Sequence, residues 1–189
     1  MKVAVIGCGG IGSYFAEHID RLIDLKQIEG YNFTFFDDDI VEKKNILYQN
    51  FKPRDINDKK TSALEFRFLN INFDPRRVSN KDLLMYDLVI LCADNNLIRR
   101  EVYALYDSKQ IPFIDSRANG RTIGLFSSNT VDYLNTIDSS SNSTSCQNPF
   151  QIEKEQIEFG NVVIAAALAQ SVLTYIRTKR LPNDFIIHI

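Results

Sequence analysis

The segment Lys2-Val-Ala-Val-Ile6 is a short, largely β-branched apolar run that stops at Gly7-Cys-Gly-Gly-Ile-Gly12. Beyond it Phe15, Ile19, Leu22 and Ile23 recur at helical spacing. The order is strand, glycine turn, helix. Gly7, Gly9 and Gly12 match GxGxxG in that context, so backbone can approach a phosphate while the helix N-terminus supplies free N–H groups and the positive dipole end. A nucleotide fits this signal, which does not by itself separate ATP from NAD. A P-loop is excluded, because no GxxxxGK[ST] occurs and Lys59-Lys60-Thr61 lacks the glycines.

The remaining chain repeats the alternation. Phe33-Thr-Phe-Phe36 predicts a second strand, and Ala63, Leu64, Phe66 and Leu69 predict a helix over about 59–69. Leu88-Val-Ile-Leu-Cys92 is the continuous apolar run expected of a strand covered on both faces, and a helix follows over about 95–107. Ile111-Pro-Phe-Ile114 predicts the next strand. Arg121 to Phe126 predicts one antiparallel to it, since no crossover helix separates the two. A last helix is expected over about 150–178, weakened at Gly160, and Phe185-Ile-Ile187 closes the chain. The fold class is therefore α/β: a Rossmann-like, doubly wound, mostly parallel sheet with helices on both faces and antiparallel strands at the C-terminal side. Ligands of such sheets bind at the carboxyl ends of the strands, here the loops beginning near Gly7, Asp37, Asp94 and Ser116. From 135 to 149 the chain is rich in Ser, Asn and Thr and is expected to be a mobile loop.

Composition narrows the class. With 189 residues, 44% of them hydrophobic, a single domain spanning 1–189 is expected. A net charge of -2 gives no basic field for nucleic acid. The apolar run from Val162 to Ala169 falls far short of the roughly 20 residues that span a bilayer, so no membrane partner is expected. Cys8, Cys92 and Cys146 form no CxxC pair, which argues against disulfides and structural zinc and for a cytoplasmic location. Cys8 and Cys92 are expected to be packing residues. A dehydrogenase would need a proton relay, and His18 and His188 are poor candidates.

From Asp37 the sequence runs Asp37-Asp-Asp39-Ile-Val-Glu42-Lys-Lys-Asn45-Ile-Leu-Tyr48-Gln49, with Lys60 downstream. Carboxylates at alternate positions beside a phosphate cradle, then amides and a lysine, offer partners for ribose, metal and triphosphate. GxGGIGS at Gly7 to Ser13, DxDxxExxN at Asp37 to Asn45, Gln49, Lys60, and Cys92-Ala-Asp-Asn95 with Arg99 together resemble the ThiF/MoeB/HesA family, the ubiquitin-activating-type adenylyltransferases. The resemblance extends from Val3 to the last helix. It implies that Gly7, Gly9, Gly10, Gly12 and Asp37 hold the nucleotide and its ribose. Asp39, Asn45, Gln49, Lys60, Asn95 and Arg99 would contact the phosphates or complete the pocket. Adjacent Lys59 is the alternative to Lys60. Asp94 would hold magnesium for the chemical step, with Lys60 assisting. The implied reaction is adenylylation by ATP of the C-terminal carboxylate of a small ubiquitin-like or sulfur-carrier protein, usually ending Gly-Gly, or of a peptide. A homodimer or heterodimer is implied as well.

The sequence also departs from the family pattern. Tyr48 stands where members generally carry arginine, and a tyrosine cannot neutralise phosphate charge; Arg54 or Arg121 is the candidate substitute. The sequence opens on its first strand, so the preceding arm of many relatives is not expected, and the paired CxxC motifs of many relatives do not occur in it. Cys146 lies in the polar loop, where some relatives place a cysteine that takes the activated partner as a covalent adduct. A non-catalytic partner subunit of such an enzyme is the competing expectation.

Overall fold

The first strand of the chain becomes the centre of the sheet. The computed structural model describes residues 1–138, 147 and 152–189. Its strands are β1 (Lys2–Ile6), β2 (Asn32–Phe36), β3 (Asn72–Asp74), β4 (Leu88–Leu91), β5 (Phe113–Asn119), β6 (Thr122–Ser127) and β7 (Phe185–His188). Its helices are α1 (Gly12–Asp24), α2 (Lys60–Glu65), α3 (Asn80–Leu83), α4 (Asn96–Lys109), α5 (Tyr133–Asp138) and α6 (Gly160–Thr178). The strands lie in the order β3-β2-β1-β4-β5-β6-β7. The first five are mutually parallel, and β6 and β7 run antiparallel to their neighbours. This is the Rossmann-like, mostly parallel sheet expected from the alternation of elements.

Both faces are covered, which explains the continuous apolar strands. Val3 and Val5 of β1 face a core with Phe15, Ile19, Leu64, Leu168 and Val172, from α1, α2 and α6. Ala4 and Ile6 face the opposite one, with Leu83, Ile98, Val102 and Tyr133, from α3, α4 and α5. The register places the site. Ile6 pairs with Phe36 on one side and Leu91 on the other, so Gly7, Asp37 and Cys92 leave the sheet side by side. The chain winds from β1 outward through β2 and β3, then returns to β4 on the other flank, making a crevice beyond β1 and β4.

Several boundaries differ from the sequence expectation. The 59–69 helix stops at Glu65; Ala63 and Leu64 are buried, but Phe66 and Leu69 are 87% and 84% exposed. Their apolar spacing imitated one more helical turn, while the buried aromatic there is Phe68. Strand β3 carries too short and polar a sequence, Asn-Phe-Asp, to stand out. Strand β5 runs on to Asn119, so Ser116 is a fully buried strand residue whose hydroxyl donates to the Leu91 carbonyl, and no loop begins there. Residues 135–138 lie within α5 instead of a loop, and the rest of the expected mobile stretch, apart from Gln147, lies outside the described residues.

Helix α6 starts at Gly160, where a helix from 150 was expected. A Cβ there would sit 2.0 Å from the Gly120 carbonyl oxygen, so the helix begins where it meets the β5–β6 turn. At 19 residues and mean hydropathy 1.2, α6 is long and apolar enough to cross a membrane. Its Ile164, Ala165, Leu168, Ala169, Val172 and Leu173 are nonetheless buried along one face against the sheet and α1, the pattern of a core helix. Gly160→Ala is expected to lower the unfolding free energy in urea by about 1–3 kcal/mol despite alanine's better helix propensity, because the added methyl meets backbone.

Candidate nucleotide site

A cavity of about 370 Å³ opens at the carboxyl ends of β1, β2, β3 and β4. Gly7, Gly9 and Gly10 line it, with Asp37, Asp38, Asp39, Tyr48, Gln49, Lys60, Asp94 and Asn95. The site is thus assembled from segments ninety residues apart by the register described above.

The glycine loop is a set of unused donors. Among the described residues no group accepts a hydrogen bond from the N–H of Gly9, Gly10 or Ile11. The N-cap of α1, Ile11, has no side chain that could cap the helix itself. Gly12 lies beneath the loop: a Cβ there would fall 1.9 Å from the Gly7 carbonyl oxygen, so it permits the turn without reaching a ligand. The Asp37 carboxylate buttresses the loop, accepting from the Cys8 N–H at 2.7 Å and the Asp39 N–H at 2.9 Å. Burial raises its pKa above the ordinary aspartate range, although Lys60 and these backbone N–H groups pull the other way.

Lys60, 7% exposed, answers the choice left open with Lys59. Its Nζ lies 2.7 Å from Asp39 Oδ2 inside the cavity wall, whereas exposed Lys59 donates to the Asp38 carbonyl. Burial works against the Lys60 charge, yet Asp37 and Asp39 outweigh it and hold its pKa above the ordinary lysine range. The ammonium is charged at any physiological pH. Gln49, 6% exposed, lines the cavity, and its Oε1 is buried in the wall without a hydrogen-bond partner among the described residues. Asp94 is exposed, and no described residue bonds its carboxylate. The N-cap of α4 is Asn95, whose Oδ1 accepts from the Leu97 N–H at 2.8 Å, so Asp94 is not spent on capping.

Two expected pocket residues stand behind the wall instead. Asn45, 4% exposed, caps the turn Lys43–Leu47, its Oδ1 accepting from the Glu42 N–H. Arg99 does not line the cavity. Its Nη2 donates to the Ala93 carbonyl at 2.6 Å and its Nη1 to Asn96 Oδ1 at 3.0 Å, so it braces the backbone on both sides of Asp94. Asp115, fully buried, orients it at 3.2 Å and also accepts from Arg117 Nε at 2.7 Å and the Tyr133 hydroxyl at 2.9 Å. Burial, then Asp115, raises the Tyr133 pKa, so its hydroxyl stays a donor.

Neither proposed substitute for the missing arginine reaches the cavity: exposed Arg54 pairs with Asp55, and Arg121 bonds the Ile189 carbonyl. Arg76 and Arg77 do reach it, from the turn after β3. Arg76 is held by Asp74 and Asp82 above the Phe36 ring, while Arg77 is free of ion pairs among the described residues. The sequence carried no signal for them because β3 itself was not legible. His18, half-buried on α1 with its pKa lowered by burial, and His188 on β7 both lie outside the cavity. Cys8 is buried, and desolvation followed by Asp37 raises its pKa; Cys92, buried just beyond β4, packs in the same core but also borders the cavity. Cys146 lies outside the described residues.

A family model, that of the ThiF family, matches residues 1–187. The chain belongs to the ThiF family. Among curated protein sequences nothing matches. Among solved structures, E. coli MccB with AMPCPP and MccA superposes with a TM-score of 0.72 at 20% identity, and MccB with ATP with 0.69 at 20%. PaaA superposes with 0.69 at 18%. In each case all of this chain is covered but only 60% of the other, and at such identity the likeness is one of fold. In this ThiF-family chain the buried brace behind Asp94 gathers one carboxylate and two guanidinium groups. Asp115→Ala, which strands Arg99 and Arg117, is expected to cost about 3–5 kcal/mol of stability in chemical denaturation.

Proposed function

We propose that this ThiF-family chain uses ATP to adenylylate the C-terminal carboxylate of a peptide or small protein, releasing pyrophosphate. One observation carries the reading: the free N–H groups of Gly9 and Gly10, the Lys60 ammonium and the Asp94 carboxylate, which has no partner among the described residues, border one cavity that Gln49 also lines. In the reaction a carboxylate oxygen forms a bond to the α-phosphorus of ATP. The bond from that phosphorus to the bridging oxygen breaks, and pyrophosphate leaves with the electron pair. Anions must be brought together, so the protein's task is positioning and charge neutralisation.

The loop N–H groups take phosphate oxygens, Asp37 accepts from the ribose hydroxyls, and Lys60 lies against the phosphates. Asp94 would hold a magnesium ion, which when bound neutralises phosphate charge. MccB has been determined with the peptide MccA, which favours a peptide or small protein as the acceptor here; a carrier protein ending Gly-Gly is the form that the family resemblance implies. Arg77 is the cation available to offset the arginine that Tyr48 replaces.

Asp94→Asn is expected to lower ATP–pyrophosphate exchange by about 10²-fold or more while leaving ATP affinity within a few-fold; unchanged exchange removes Asp94 from the chemistry. The raised Asp37 pKa gives a second test. Acidification protonates Asp37 earlier than an exposed aspartate and removes its acceptor for ribose. Adenosine affinity, measured by calorimetry, therefore falls from neutral toward acidic pH in the native protein and loses that dependence in Asp37→Asn. Tyr48 favours one other reading, a nucleotide-binding subunit without activity of its own. ATP binding with no pyrophosphate exchange, in the presence of an acceptor peptide, would establish it.

A further inference from the structure

We propose that Asn161 is a positioning residue for phosphate binding, holding the glycine loop in its anion-binding conformation and locking it to the Tyr48–Gln49 wall. The proposal rests on the nucleotide reading of the cavity. Asn161, the second residue of α6, is 1% exposed and lies outside the cavity, 151 positions from the loop it touches. Its Nδ2 donates to the Gly10 carbonyl at 3.0 Å and to the Tyr48 carbonyl at 2.6 Å. Both of the bonded residues line the cavity. Its Oδ1 accepts from Gln147 Nε2 at 3.4 Å, so both donors and one acceptor position of the amide are used.

The geometry has a directional consequence. No peptide bond among the described residues is cis, so C=O and N–H of one peptide point in opposite directions. Drawing the Gly10 carbonyl outward to Asn161 turns the Ile11 N–H the other way, toward the cavity side on which Gly10 lies. A second strap acts one peptide earlier. Ser13, fully buried, donates its hydroxyl to the Gly9 carbonyl at 2.7 Å and accepts from the Asn50 N–H at 3.0 Å. That bond turns the Gly10 N–H inward in the same way. Two successive peptide planes are therefore pinned from behind, and each strap also grips the 48–50 segment. Among the described residues the N–H groups of Gly10 and Ile11 are left without partners, and Gly10 lines the cavity.

Asparagine suits the position because two N–H donors on one nitrogen are required. An aspartate would set a negative charge against two carbonyl oxygens, and a serine has one donor on a shorter arm. The backbone there has no slack, since Gly160 is packed against the Gly120 carbonyl. Loss of the Asn161 bonds leaves the loop free to rotate its peptides, so ordering it again weighs on phosphate binding alone.

The test compares ATP with adenosine, which lacks phosphates, in calorimetric titrations of the native protein and Asn161→Ala, with melting temperature measured alongside. The expected result is roughly 10-fold weaker ATP binding with adenosine affinity changed less than about twofold. A merely structural role would weaken both ligands by the same factor, and that outcome, or unchanged ATP affinity, overturns the proposal. Should Asn161→Ala fail to fold, Asn161→Ser, which keeps one donor, is judged by the same ratio. If the native protein binds ATP no more tightly than adenosine, the nucleotide reading itself falls, which this design separates from a failure at Asn161.

Discussion

The pairing of Ile6 with Phe36 and Leu91 is the constraint on which the molecule's chemistry depends. One residue of slip in either ladder would invert the strand's two faces and carry Asp37 or Asp94 away from the glycine loop. Burial on both faces makes that slip costly, because Val3 and Val5 belong to one core and Ala4 and Ile6 to the other. Packing that has no chemical role thus decides where the chemical groups stand.

Around this centre the polar groups divide into those that face the cavity and those that hold them there. Asp37 supports the glycine loop through the Cys8 N–H, Ser13 and Asn161 draw its carbonyls outward, and Arg99 braces the backbone around Asp94. The Asp115 carboxylate, fully buried, serves Arg99, Arg117 and Tyr133 together. Buried ionic groups give little net stability, and hydrophobic replacements often do as well, but their directional bonds fix the geometry of what they hold. Such rigid backing suits a reaction whose demands are alignment and preorganised charge.

Much of this was legible in the sequence, and the exceptions have physical causes. The glycine turn, strands β1, β2, β4, β6 and β7, and the cluster Asp37, Gln49, Lys60 and Asp94 could be read because short motifs and apolar runs are local properties. Asn45 and Arg99 were legible as residues of the site, but their place behind the wall was not, since a motif does not say which side of a loop a side chain takes. Arg76 and Arg77 were missed because they follow β3, whose three residues have no apolar signature. Asn161 and Asp115 were missed for a further reason: each acts across long sequence separations, so only the packed sheet and helices bring it to its partners.

The central claim is that the unpartnered backbone donors of the glycine loop receive the phosphates of ATP. Backbone amide resonances of Gly9, Gly10 and Ile11, followed by NMR while ATP and then adenosine are added, test this most directly. Large shifts of these three signals are expected with ATP and small ones with adenosine, while Asp37 responds to both. Signals that stay in place under saturating ATP, or move equally for the two ligands, would contradict it.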